Sequence, residues 1–550
     1  MFKKGFTLVE LLAVIVILAV IALIATPIVK DSIANSKNQA LKETINSIER
    51  AAYNYGYQND IGYDTNYKKL TLDELISKGF LKGDIINPVT NEKMNGCVLY
   101  RWNDTNNQYE FKYNEECPKY PESLITVLLE QYNESNTTGL VKDSTNENLY
   151  YYTGTNEEVG NNFLWYGGHQ WRVLEFDTNA NTITLITQQP LTSIQPASST
   201  WTTQSAYESS YINSWLNDYF YNSLDSDIQN NILKNTFNVG IYTDVDEITT
   251  TQKVGLLDEE QYKRAGEADS YLDINDYFWL GNRYSSSFVR YVYFNGYLNY
   301  IGPTDANGVR AVIKISDLTI TEGDGTLANN YQVGNKATNT NNVQVGEYIN
   351  VPYNGSDNAC GSDKMCTFRV VSKNNDSIKV VLNGLLPTTS KWADSASDNI
   401  ATNDLIYTNV LNGFVANIDS KYITTGTYGV GMYENGNSYT VPQSTTITAN
   451  VGLPTIGEIF SGNDIDLSTS STKTFVDVNT IENPTISNYY WTMNRYSSSS
   501  VRYVDYGGGL YYGGPASAAG VRAVIYLKSG TSAITFTKGE GTPNSPYVLQ

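Results

Sequence analysis

From Leu11 to Ala25 every residue is apolar, and within Phe6 to Val29 only Thr7, Glu10, Thr26 and Pro27 interrupt the run. A helix over 6–29 would be about 36 Å long at about 1.5 Å per residue, enough for a hydrocarbon core about 30 Å thick. Past that run the apolar residues thin to a stripe. Leu41, Ile45, Ile48, Ala52 and Tyr55 step by four and three, which is one face of a helix. The pattern predicts a single helix over 6–55 that breaks at Gly56 and Asn59-Asp-Ile-Gly62. Thr71 to Gly79 reads as a short helix, capped by Thr71, supported by Glu74 and ended by Gly79. Val98–Trp102 and Gln108–Tyr113 read as a hairpin. Residues 56–120 thus form a small module of their own.

The rest of the chain repeats itself. Residues 276–315 align without a gap on 488–527, with 24 of 40 positions identical. The shared core runs from Trp279, Asn282-Arg-Tyr-Ser-Ser-Ser287 and Val289-Arg-Tyr-Val292 to Gly308-Val-Arg-Ala-Val-Ile313. Its copy runs from Trp491 to Gly520-Val-Arg-Ala-Val-Ile525. Val254-Gly-Leu256 and Val451-Gly-Leu453 add a second match at a different offset, so the loops differ in length. Two copies at this spacing imply tandem domains, 140–333 and 334–550, since a solenoid needs shorter and more numerous units. Each copy opens on strands: Gln170–Phe176 with Thr182–Thr187, and Phe368–Val371 with Ile378–Leu382. A helical stretch follows in the first, Tyr211–Phe220 and then Ile228–Leu233. The polar stretches 133–138 and 335–342 read as linkers or loops.

The anomaly of the N-terminus is Glu10. A carboxylate inside an apolar span costs about 2.5–3.5 kcal/mol on insertion scales, so an ordinary anchor avoids it. Lys3 and Lys4 precede the span and place the N-terminus in the cytoplasm. A plain signal anchor or a secretory signal peptide are the simpler readings, but Thr26-Pro-Ile-Val-Lys30 is a poor cleavage site for the latter. Lys3-Lys-Gly-Phe-Thr-Leu-Val-Glu-Leu11 resembles the leader and cleavage site of type IV prepilins and pseudopilins. The resemblance implies a leader of residues 1–5, cleavage between Gly5 and Phe6, and N-methylation of Phe6. It also implies pairing of Glu10 with a neighbouring subunit's amine, and a helix broken near Pro27. It makes a prepilin peptidase, other pilin subunits and inner-membrane assembly proteins the expected partners. The helix, short helix and hairpin also resemble a minimal pilin head.

The repeats resemble a bacterial surface-domain family of unassigned chemistry, which in turn looks like the C-type lectin-like fold shared with formylglycine-generating enzymes. The expected class is therefore α+β: a long pilin-type helix with a small β module, then two mixed lectin-like domains.

Charge and composition narrow the function. The chain has 37 Lys+Arg against 57 Asp+Glu, a net charge of −20, so direct nucleic-acid binding is not expected. One His, His169 in a Gly167-Gly168 turn, excludes His-rich metal sites and reads as incidental. Cys97 and Cys117 bracket the hairpin, and a disulfide there fits an extracytoplasmic location, the alternative being two free buried thiols. Cys360 and Cys366 read as a local loop-closing disulfide, and the Cys pair of formylglycine-generating enzymes is missing from the first copy. Glu322-Gly-Asp-Gly-Thr326 and Lys538-Gly-Glu-Gly-Thr542 mark equivalent turns with too few oxygens for calcium. No cofactor or metal is expected.

Arg283, Arg290 and Arg310, with Arg495, Arg502 and Arg522, could fork a carboxylate or an anionic sugar, or could pin loops through backbone carbonyls. Trp279, Tyr284 and Tyr291, with Trp491, Tyr496 and Tyr503, could stack on sugar rings or form core. The candidate ligand-binding set is Arg290, Arg502, Trp279, Trp491, Tyr284 and Tyr496. The expected function is a minor or tip pilin, or a pseudopilin, that displays these modules to a glycan or host surface and is not an enzyme. A surface enzyme on a pilin-type anchor, or a subunit of a secretion or DNA-uptake machine, are the alternatives.

Overall fold

The structure, a computed structural model, describes residues 8–59, 67–103, 107–133, 135, 138–241, 248–305, 307–334, 336–431, 445–456, 458, 489–504 and 510–550. Within these, the side chains at 22, 24–28, 31 and 510 are left aside. The chain divides into two compact units, 1–122 and 123–550.

In the first unit, α1 spans Leu8–Asn59. Its stripe does what the spacing predicts. Ile48 and Ala52 are buried with Leu70, Leu72, Leu75, Met94 and Val98, and Leu41, Ile45 and Tyr55 pack at the edge. The predicted break at Gly56 is wrong. The helix runs through this buried glycine, because packing of the stripe outweighs the roughly 1 kcal/mol that glycine costs a helix. The assignment also continues through Pro27. Asp60 to Gly62 lie outside the described residues.

The short helix α2, Leu72–Ser77, has the expected capping box between Thr71 and Glu74. Strands β1 (Lys68–Thr71), β2 (Cys97–Asn103) and β3 (Gln108–Asn114) form an antiparallel sheet in that order. Cys97 and Cys117 are bonded across it, with Cα atoms 5.3 Å apart.

No helix among the described residues is long and apolar enough to cross a membrane. The expected span at 6–29 includes positions outside the description: Phe6, Thr7 and the side chains at 22 and 24–28. The described part of that run is nonetheless bare: Leu8, Leu11, Leu12, Ile15, Leu18, Ile21 and Leu23 are all exposed.

The second unit is built twice. One run of seven adjacent strands is ordered Ile232–Leu233, Val312–Ser316, Thr182–Thr187, His169–Asp177, Phe163–Tyr166, Tyr331–Val333 and Thr319–Glu322. The other is ordered Ile423–Thr424, Val524–Lys528, Ser377–Leu382, Met365–Lys373, Tyr348–Pro352, Tyr547–Leu549 and Phe536–Lys538. The two runs match element for element, including the parallel pairing of the closing strand (Tyr331 with Leu164, Tyr547 with Ile349). Strands distant in sequence complete each sheet, so the second repeat owns a core drawn wholly from 337–549. Cys360 and Cys366 are bonded within the connection between Tyr348–Pro352 and Met365–Lys373.

The helical stretch of the first repeat is Tyr211–Ser214, a π-helical turn over Trp215–Phe220, then Ser226–Asn231. Ile232 and Leu233 leave it as an edge strand. His169 also departs from expectation. It begins a strand and is buried against Trp171 and Phe220, while Gly167 and Gly168 alone make the turn.

The repeats meet through backbone. Gly168 and Gly346 have φ of +73° and +93°, and a Cβ on Gly168 would overlap the Val345 carbonyl oxygen. Lys373 Nζ pairs with Asp225 at 2.8 Å across the same junction.

Candidate functional site

Outside the large sheets, each repeat carries a three-stranded meander. The first is Phe278–Arg283, Val289–Val292 and Leu298–Ile301; the second is Tyr490–Arg495, Val501–Val504 and Leu510–Gly513. Successive side chains on a strand face opposite ways. Arg290 is opposite Tyr300, while Trp279, Tyr291 and Asn299 line up on the other face. In the copy, Arg502 is opposite Tyr512, and Trp491, Tyr503 and Tyr511 line up. The six candidate residues therefore belong to two faces, and arginine and tryptophan do not share a site.

On the arginine face the guanidinium of Arg290 lies 4.5 Å from the Tyr284 ring, which stacks on Tyr300 at 3.9 Å and 8°. Arg502 lies 4.3 Å from Tyr496, which stacks on Tyr512 at 4.1 Å and 17°. Tyr284, Tyr300 and Tyr512 are exposed. Arg290 does not pin a loop. Its Nε donates to Glu259 at 2.8 Å and its second fork nitrogen to the other carboxylate oxygen at 3.3 Å. Glu259 is 2% exposed and also holds Lys263 at 2.9 Å. The fork of Arg290 is thus engaged by a carboxylate of its own chain. In the second repeat Ile456 takes the place of Glu259: the backbone N–H of each donates to the equivalent Asn282 or Asn494.

On the other face Trp279 and Trp491 are core. Each is 1% exposed, and their indoles donate to the carbonyls of Ile194 (2.8 Å) and Ser390 (2.9 Å). They support the meander from within, while Tyr489 and Tyr511 present exposed rings beside Trp491 and Tyr503.

Arg310, Arg495 and Arg522 do pin backbone. Arg310 donates to Thr187 and Leu272 carbonyls at 2.9 and 2.7 Å, and Arg522 to the Leu382 carbonyl at 2.7 Å. Burial pulls Arg310 down to about 9, still protonated at neutral pH. Arg495 donates to the Ala396 and Ser397 carbonyls and to Asn399. His169 is lowered to about 3 by burial and then by Arg369, so its imidazole is neutral. Among the described residues no cluster of three His, Cys, Asp or Glu could hold a metal ion. The Gly-rich pair of turns holds positive-φ glycines at Gly323, Gly325, Gly539 and Gly541, which explains their sequence as backbone geometry.

At the N-terminus, Glu10 lies near the start of the described part of α1. Gly5 and Phe6 lie outside the described residues. The prokaryotic N-terminal methylation motif matches residues 1–26. This is a type IV prepilin N-terminus, of the kind shared with pseudopilins. It implies a prepilin peptidase and pilin assembly partners in general, and a membrane-anchored protein assembled at the surface. Residues 181–317 match a domain of unknown function (DUF6273), which lends no support to a lectin-like fold. No curated protein and no solved structure matches the chain.

Sequence reasoning missed Glu259, Tyr300 and Tyr512. The two tyrosines were within reach, because the gapless alignment places them at one position. Glu259 had no signal, since its counterpart is isoleucine.

Proposed function

We propose that the chain is a minor or tip pilin, or a low-copy pseudopilin, whose paired repeats serve recognition at the cell surface rather than catalysis. The methylation motif at residues 1–26 carries this reading. The bare apolar half of α1 supports it, because a helix apolar all round needs lipid or neighbouring helices to cover it. So does size: a unit spanning 123–550 is bulky for the main subunit of a thin filament. A buried neutral His169, with Arg290 engaged by a carboxylate and Arg310, Arg495 and Arg522 by backbone, leaves little for acid–base chemistry. The exposed aromatic meander faces are surfaces for binding instead. Insertion through the 6–29 segment, with the repeats outside, completes the proposal.

The experiment joins mass spectrometry to shearing. The mature protein should start at N-methylated Phe6. Glu10→Val should be processed yet absent from sheared filaments, because it cannot neutralise a neighbour's amine. An intact Met1 on the mature chain would overturn the prepilin reading, and normal incorporation of Glu10→Val would overturn the pairing role.

A further inference from the structure

The second meander holds a cavity of about 250 Å³ lined by Tyr489, Trp491, Tyr503, Gly513, Ser517, Ala518 and Ala519. The alignment that pairs the repeats puts Ile301 where Gly513 stands, Asp305 where Ser517 stands and Asn307 where Ala519 stands. The rings differ as well. In the first repeat Tyr277 lies flat over Tyr291, at 6.2 Å and 28°, and is packed by Tyr293 and Phe294. In the second, Tyr489 stands edge-on to Tyr503, at 5.5 Å and 75°. The first scaffold thus has its tyrosine folded down on Tyr291, and the second has it edge-on to Tyr503, above Gly513, Ser517, Ala518 and Ala519; the counterparts of Tyr293 and Phe294 lie outside the described residues.

Gly513 is the decisive change. A Cβ there would lie 3.2 Å from Cε1 of Tyr503, and its backbone is outside the left-handed region, so conformation does not demand glycine. What the glycine provides is room over the Tyr503 ring.

We propose that this cavity binds one neutral pyranose ring of a surface glycan. The inference rests on the recognition reading above and names its ligand class. Size, charge and shape carry it. The cavity falls below the roughly 300–1,000 Å³ of sites for drug-sized ligands, which suits a single ring. Among the described residues no acidic or basic side chain lines it, which favours a neutral sugar. Two tyrosine rings at 75° make a corner that covers one face and one edge of a flat ring. Tyrosine is apolar on its face and polar at its tip, which matches the C–H faces and hydroxyl edge of a pyranose. A proline or leucine side chain would use the faces and leave the hydroxyls idle.

The test uses the full chain in a sugar-free detergent. Saturation-transfer NMR is recorded with methyl β-glucopyranoside, methyl β-galactopyranoside and N-acetylglucosamine, with N-acetylprolinamide as the peptide probe. At least one sugar should give saturation transfer with millimolar affinity. Gly513→Ile, which installs the first repeat's residue, should weaken it more than tenfold at an unchanged melting temperature. Tyr489→Ala, which removes an exposed wall, should do the same and guards against a folding defect in the glycine variant. Transfer to N-acetylprolinamide alone, to no sugar, or equally in wild type and both variants would overturn the assignment. A glycan array with the same protein separates the two readings. Array binding that both variants retain sinks the cavity and leaves surface recognition standing, whereas an array with no binding removes both.

Discussion

Thr184 of the first repeat and Lys379 of the second stand at equivalent register positions of the two large sheets, opposite Lys314 and Tyr526 respectively. Gln261 and Glu458 likewise share the third position of equivalent capped turns. The first repeat holds a neutral pair of residues at these places. The second holds an ammonium and a carboxylate in direct contact, each 1% exposed, between the rings of Tyr428 and Tyr526. A third such place is Asn162 and Glu347, whose carbonyls accept from the equivalent Val173 and Val370. The arginines on backbone carbonyls are common to both repeats. The second repeat carries ionisable groups at these three places and the first at another, where Glu259 stands opposite Ile456, so the frame tolerates charge where each charge has its own local answer.

The sharpest break in this comparison comes from the buried pair. Glu458→Gln restores the first repeat's residue but leaves Lys379 buried without its carboxylate, and should cost about 3–5 kcal/mol in urea unfolding. Adding Lys379→Thr should recover most of that loss. A single-variant loss under about 1 kcal/mol, the level of a surface pair, would show the contact to be inconsequential.

Glu347 should separate the repeats by pH. Burial, the largest cause, raises its carboxyl from 4.5 to about 8, against the lowering effects of the Gln344 N–H and Lys373; Asp225 adds to the rise. The folded state then holds a proton that the unfolded state releases. Its stability contribution is complete below pH about 4.5 and is lost as pH climbs toward 8. Melting temperature should therefore fall across this window, and Glu347→Gln should flatten the fall. Asp258, raised to about 6 chiefly by burial, leaves a smaller residual slope below that value. A slope unchanged in Glu347→Gln would place the proton elsewhere.

The disulfides give a smaller effect. Cys360 and Cys366 are six apart and belong to the second repeat alone, so replacing both by serine should cost about 2 kcal/mol by loop entropy. The bond between Cys97 and Cys117, 20 apart, should be worth about 3 kcal/mol in its own unit. Denaturant titration with and without reductant measures both.

Smallest are the stacked tyrosines. Tyr300→Ala and Tyr512→Ala should each cost about 0.5–1.5 kcal/mol, and by similar amounts, because both stacks are near-parallel. A clear inequality would show that Glu259, present under only one of them, shares in holding the stack.

Local order was legible in the sequence wherever one segment decides its own shape. The α1 stripe, the Thr71 capping box, the pairing of Cys97–Asn103 with Gln108–Asn114 and the hairpin closed by 177–181 follow from spacing and turn chemistry. The repeat was legible because it is gapless at its core. The large sheets were not, since Tyr331–Val333 and Tyr547–Leu549 must travel far along the chain to lie parallel to Phe163–Tyr166 and Tyr348–Pro352. Gly56 misled because propensity was read without the packing that overrides it. The division of Arg290 from Trp279 was present in strand alternation but needed the register to be seen. The opening made by Gly513 could have been found by asking where the copies differ rather than where they agree.

The backbone contact of Gly168 with Gly346 has a consequence for valency. Two binding modules on a flexible tether sample many separations, and the second engagement is governed by an effective concentration set by the tether. Here the modules abut within one compact unit, glycine against glycine, with no room for a side chain between them. The distance between their faces is then a constant of the protein. On the proposed reading the cavity of the second repeat is then held at a fixed place beside the first, so any second contact of a bound partner falls at one set distance rather than over a range.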